Sequence, residues 1–213
     1  MLAKGNLRSY SMLALLSAMV LCVGTAWAQL PDDVYFVNYY VGAHKANNAD
    51  GRVRIDNPGA NNGSDLCADI YVFDNREEML ECCGCNLTSD DLRVLSINNN
   101  LTNNAAAIPT TGVIKIVSAQ QNPNTKQVCD PTGGNTKFGW VNNIVPTPDL
   151  RAWATHIQNP FSGQQSKNFA YTEEEFQDAT LTQNELNTLQ ETCFNLQNAG
   201  TGKGVCSCGT GLD

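Results

Sequence analysis

Nine cysteines punctuate the chain, and their placement limits what it can fold into more than any other feature. The first, Cys22, lies in a segment that reads as an export leader. Lys4 and Arg8 give a basic start, an apolar stretch runs from Met12 to Gly24, and Ala26, Trp27 and Ala28 supply the small-x-small pattern for cleavage. Residues 1–28 are therefore expected to be a signal peptide, with Gln29 the first mature residue. The stretch is shorter than the about 20 residues of a membrane helix, and nothing later matches it, so no membrane span is expected in the mature chain.

Eight cysteines remain: Cys67, Cys82, Cys83, Cys85, Cys129, Cys193, Cys206 and Cys208. An even number in an exported chain is the mark of disulfides, and all eight are disulfide candidates whose connectivity the sequence leaves open. Adjacent Cys82 and Cys83 are awkward partners, because a disulfide prefers particular Cα separations and torsions. Pairing between the two clusters, or to Cys67, Cys129 and Cys193, is easier to build.

Residues 29–213 fit one domain, and a chain of that size can bury a real core. The whole chain carries a formal charge of −8, and it becomes more negative once Lys4 and Arg8 leave. Scattered negative charge disfavours nucleic acid and anionic membranes as partners.

The pattern along the mature chain is mainly that of strands. A run from Val34 to Val41 is β-branched and aromatic with apolar groups on both faces. Asp50-Gly51 offers a hairpin turn before the alternating Arg52-Val53-Arg54-Ile55. A central strand is expected over 66–73, and further strands over 92–97, 112–118, 138–145 and 150–158. In the last, Trp153, Thr155 and Ile157 alternate with Ala152, Ala154 and His156. Asn-rich turns at 98–100, 103–104 and 122–124 separate these pieces.

Three short helices are expected. Asn75 with Glu78 resembles a capping box, and Met79, Cys82 and Cys83 then share one helical face, with Gly84 as the stop. Thr172 with Glu175, stapled by Tyr171 and Phe176, marks a second start. Thr182 with Glu185, stapled by Leu181 and Leu186, marks a third, whose Leu186, Leu189, Cys193 and Leu196 line one face as far as Gly200. The fold class is therefore mainly β: a disulfide-stabilised antiparallel β-sandwich, Ig-like or jelly-roll-like. Residues 172–213 form a helical, Cys-rich C-terminal segment packed on it.

Chemistry is harder to find. There is no G-x-S-x-G, H-E-x-x-H or phosphate-cradling glycine loop, so no catalytic residue, no cofactor and no metal ligand is assigned. Five thiols in two clusters suit a soft metal ion, but only His44 and His156 could add nitrogen, and exported thiols tend to oxidise first. Cys82-x-x-Cys85 resembles a redox motif, yet it would close a helix at the end where the dipole raises a thiol pKa. Asp56, Asn57, Asn61, Asn62, Ser64 and Asp65 gather oxygens in one loop without the spacing of a calcium hand. Sequons begin at Asn62, Asn86 and Asn100.

The pattern Leu66-Cys-Ala-x-Ile-Tyr-Val-Phe-Asp, then Glu-Cys-Cys-Gly-Cys85, Glu-Phe-Gln-Asp-Ala179 and Gly204-Val-Cys-Ser-Cys-Gly209 resembles a group of uncharacterised exported bacterial proteins. The resemblance covers most of the mature chain. It implies export and a shared cysteine framework, and it carries no activity and no site residues with it.

The expectation is a secreted protein of the extracellular space, cell surface or periplasm, structural or adhesive rather than catalytic. Self-association through the N-terminal strand, Val34 to Val41, by strand addition is the candidate partner mode. A cysteine-based metal-binding protein and a secreted enzyme of unknown reaction are the alternatives.

Overall fold

The computed structural model describes residues 30–44, 50–120, 129–134, 144–158 and 170–209. The leader, most of the strand expected over 138–145 and the turn at 122–124 lie outside the described residues. Among the described residues, ten strands and one α-helix follow in order: β1 (Tyr35–Val41), β2 (Arg52–Asn57), β3 (Leu66–Asp74), β4 (Met79–Leu87), β5 (Asp91–Ser96), β6 (Thr111–Gln120), β7 (Val145–Pro146), β8 (Arg151–Gln158), β9 (Ala170–Glu175), β10 (Gln177–Asp178) and α1 (Gln183–Gln197). A single π-helical turn, Ile97–Leu101, occupies the Asn-rich stretch after β5.

The strands form two antiparallel sheets. The first runs β10-β1-β6-β3-β4, with β7 beside the end of β6, and the second runs β5-β2-β8-β9. Because side chains alternate across a strand, β1, β3, β4 and β6 of the first sheet each serve two cores. Ala68, Ile70 and Val72 of β3 join Phe36, Tyr40, Ile114 and Ile116 against Val53, Ile55, Leu95, Ala152 and Ala154 of the second sheet. Cys67 and Tyr71 of β3, with Tyr35, Val117 and Cys82, face Leu181, Leu186, Leu189 and Cys193 of the helical segment. The architecture is a β-sandwich with α1 laid on its outer first face. The two-sided apolarity of the stretch from Val34 to Val41 has the same cause, because β1 lies between the two cores and pairs with β6 throughout.

Helix α1 begins as its sequence requires. Thr182 caps it by accepting from the Glu185 backbone N–H at 3.1 Å, and Leu181 and Leu186 are both buried. The Glu185 carboxylate does not complete the box. Its Oε1 accepts from the Tyr35 hydroxyl at 2.9 Å and from Lys115 Nζ at 2.7 Å, which ties the helix to β1 and β6. Burial alone would raise this carboxyl, but the bonds from Lys115 and Tyr35 outweigh it and hold the group below its usual range. Fully burying Leu186 and Leu189 adds about 1.5–3 kcal/mol each relative to exposure.

The other two expected helices are strands. After Asn75 the chain turns back on itself: Asp74 Oδ1 accepts from the N–H groups of Arg76 and Glu78, and Glu77 takes φ 67°. Here Asp74, rather than Asn75, organises the turn, and β4 pairs with β3 from Leu87 to Met79 with a bulge between Val72 and Phe73. Eight paired positions along the strand outweigh a helical coincidence over five, so Cys82 and Cys83 point to opposite faces instead of sharing one. Thr172 likewise pairs with His156 in β9 rather than capping a helix, and Tyr171 is exposed while Phe176 is buried between the sheets. Asp50-Gly51 is no hairpin, because β1 and β2 belong to different sheets. Asp50 instead accepts from Ser96 Oγ and from the Asn98 N–H, holding the π-helical turn.

Gly84 explains itself in this setting. It shares the outer face of β4 with Cys82, and a Cβ there would come within 2.6 Å of the Cys129 carbonyl oxygen and 2.9 Å of Asp69 Oδ1. Replacing Gly84 by Ala forces the 129–134 segment off the sheet, and the expected cost is about 1–3 kcal/mol in urea-denaturation midpoints.

Candidate functional site

All eight candidate cysteines are paired. Cys67 bonds Cys129, Cys82 bonds Cys193, Cys83 bonds Cys206 and Cys85 bonds Cys208, with Cα separations of 5.5, 5.9, 5.1 and 5.4 Å. Three of the four converge on β4. Cys82 reaches outward to α1, while Cys83 and Cys85, two residues apart, reach inward to the C-terminal tail. That tail lies parallel to β4: the Cys82 N–H donates to the Gly204 carbonyl at 3.0 Å and the Cys206 N–H donates to the Cys82 carbonyl at 3.3 Å. The parallel register puts Cys206 beside Cys83 and Cys208 beside Cys85, so both bonds span 123 residues.

This arrangement decides what the sulfurs offer. Sγ atoms of Cys83, Cys85 and Cys208 lie within 4.8 Å of one another, but as disulfides they present no thiolate to a metal or a substrate. Cys82 and Cys85 sit on a strand and bond to different partners, so they are not a redox pair.

Two buried carboxyls adjoin the braced strand, and the sequence reading passed over both. Asp69, on β3 opposite Gly84, is fully enclosed, and its Oδ1 has no partner among the described residues. Burial first, and the charge of Asp130 second, push it up to about 8. Glu81 is buried beside the tail. Its Oε1 accepts from the Asn104 N–H at 2.6 Å, while Oε2 is unpartnered among the described residues. Burial raises it to about 7 against the opposing effects of the Asn104 and Ala105 N–H groups and Lys203. An acid inside an apolar strand run, as in Leu66 to Phe73, was the available signal.

The oxygen-rich loop at 56–65 behaves as a turn. Asn57 is buried, and its Nδ2 donates to the carbonyls of Ser64 at 3.0 Å and Leu87 at 3.1 Å while Oδ1 accepts from the Gly59 N–H at 3.1 Å. His156 is buried in β8 and stacks on Tyr39 with ring centroids 4.3 Å apart. Burial lowers its pKa more than nearby Glu174 raises it, so the ring is neutral at neutral pH. His44 Nε2 lies 2.8 Å from Thr102 Oγ1, far along the chain.

The outer face of the second sheet holds an open cleft of about 520 Å³ lined by Asp50, Arg52, Arg54, Thr155, Tyr171 and Glu173. Register assembles it from three strands. Arg54 sits opposite Trp153 and Trp153 opposite Glu175; Thr155 sits opposite Glu173, and Ile157 opposite Tyr171. Arg54 Nη1 pairs with Glu173 Oε1 and lies 3.3 Å from Thr155 Oγ1. The Arg52/Arg54 alternation was legible in sequence. Tyr171 and Glu173 escape a reading of their run as a helix start, although their spacing of two also fits one face of a strand.

The buried acids fix a pH dependence. Asp69 and Glu81 hold protons in the folded chain that the unfolded chain releases at ordinary carboxyl pKa values. Their stabilisation is therefore complete below about pH 4 and is lost as pH rises to about 8. Urea midpoints are expected to fall from pH 5 to pH 8, and Asp69→Asn is expected to flatten that slope; an unchanged slope counts against Asp69 as its source.

In comparisons with family models, curated proteins and solved structures, nothing matches this chain.

Proposed function

We propose that this chain is exported and works outside the cytoplasm as a non-catalytic structural or adhesive component, braced by its disulfides. The observation that supports this reading is the spending of all eight cysteines beyond the leader on four bonds closing loops of 62 to 123 residues. Such bonds form and persist in oxidising compartments, and they stabilise most by restricting long stretches of unfolded chain. The leader pattern in residues 1–28 supports export independently, and the resemblance to exported bacterial proteins points the same way.

Self-association by strand addition is the finer part of the proposal. The strand from Val34 to Val41 lies in its own sheet, with β10 covering it only at Phe36 and Val37. Beyond that cover the edge carries Tyr39 and Val41, 48% and 42% exposed, with no charged side chain to discourage pairing. By contrast the edge strand β9 carries Glu173, Glu174 and Glu175. The Tyr39 N–H is already occupied by Asn38 Oδ1 at 2.8 Å, which leaves a short edge for a partner.

Alkylation of the natively isolated protein without reductant, followed by intact mass, is expected to find no free thiol. Recovery of reduced cysteines, or of bound copper or zinc, would overturn the bracing account in favour of a thiolate metal protein. Removing the Cys82–Cys193 pair as a double alanine variant is expected to cost about 2–5 kcal/mol in urea unfolding. Electron microscopy at high concentration tests assembly, and monomers alone would count against it.

A further inference from the structure

We infer that the cleft on the outer face of the second sheet binds a neutral glycan; the inference rests on the adhesive reading above and names its ligand class. The two faces of the sandwich are treated unequally. The outer face of the first sheet is covered by α1, whereas among the described residues no helix or strand lies over the outer face of the second. That open face is rich in side chains able to bind. Tyr171 is 55% exposed and lines the cleft with Asp50, Arg52, Arg54, Thr155 and Glu173.

The chemistry of the lining selects the ligand. A sugar hydroxyl both donates and accepts, so its site needs fixed donors and acceptors side by side. The guanidinium groups of Arg52 and Arg54 supply planar donors, the carboxylates of Asp50 and Glu173 supply acceptors, and the Thr155 hydroxyl serves in either role. The Arg54–Glu173 pair, with Arg54 also against Thr155, positions these groups before a ligand arrives. The same pairing offsets positive charge with negative charge. A phosphate or a sulfated chain would need cations in excess, and the cleft holds two arginines against two acids.

The Tyr171 ring supplies the other half of recognition. The C–H face of a sugar ring is apolar and packs on an aromatic face, while the tyrosine hydroxyl stays wet. Tyr171 lines the cleft and is 55% exposed, so its ring face is open to a ligand. The cleft of about 520 Å³ fits a short run of sugar rings rather than one monosaccharide.

The test titrates the mature, oxidised protein with cellohexaose, chitohexaose, xylohexaose and mannohexaose by calorimetry, with heparin as the sulfated control. At least one neutral oligosaccharide is expected to bind, with an affinity insensitive to added salt. Tyr171→Ala is expected to weaken that binding about tenfold, or about 1.4 kcal/mol, and Glu173→Gln to weaken it as well. Ile108→Ala, which removes a 70% exposed side chain outside the cleft, should leave it unchanged. Circular dichroism and the urea midpoint show whether each variant is folded. If Tyr171→Ala disturbs the edge strand, chemical-shift perturbation of Arg52 and Thr155 in the unaltered protein gives the answer instead. Failure of every neutral oligosaccharide to bind, binding only to heparin, or affinity unaltered in both cleft variants would overturn the inference. Protein that still adheres to cells or matrix after such a failure would leave the adhesive reading standing; reduced thiols in native protein would remove that reading by a separate route.

Discussion

Strand β4 is held from three directions, and much of the molecule is arranged around it. Its backbone pairs with β3 on one side and with the C-terminal tail on the other. Its outward cysteine bonds the helix and its two inward cysteines bond the tail. An edge strand normally presents unpaired N–H and C=O groups that invite association. Here the tail occupies that edge at Cys82 and is fixed there covalently. The tail has few apolar side chains of its own, so hydrophobic burial alone would hold it weakly; two disulfides a strand's repeat apart supply what composition does not.

The same bracing permits unusual features nearby. Asp69 and Glu81 are carboxyls in places where an ionised group would be costly, and each resolves the conflict by keeping its proton over a wider pH range. A protein with these groups gains stability as its surroundings acidify from neutral towards pH 5.

Bracing and recognition are segregated. The first sheet carries every disulfide-bonded strand cysteine, the helix and the buried acids. The second sheet carries no cysteine in its strands, and its outward side chains are large, polar or aromatic. In β8 the small residues Ala152 and Ala154 turn inward, allowing close approach of the two sheets, while Trp153, Thr155 and Ile157 turn outward. A strand that packs alanine and displays tryptophan reverses the usual economy of burial. A face built to meet something else accounts for that reversal.

Much of this was legible in residues alone. Alternation marks β2 and β8, strand-like runs mark β1, β3, β5 and β6, and the Thr182 cap with its Leu181–Leu186 staple locates α1, because these signals arise within a few residues of each other. The leader and the even count of remaining cysteines pointed to disulfides on the same local evidence. Tertiary structure decided the rest. Met79, Cys82 and Cys83 match a helical face over five positions, and only pairing with β3, fixed by distant contacts, makes that segment a strand. The run from Tyr171 to Glu175 fits a helix start equally well until β8 supplies a neighbour. Cysteine connectivity, the enclosure of Asp69 and Glu81, and the meeting of Arg54, Thr155 and Glu173 across three strands depend on contacts between residues far apart in sequence, which no local pattern encodes.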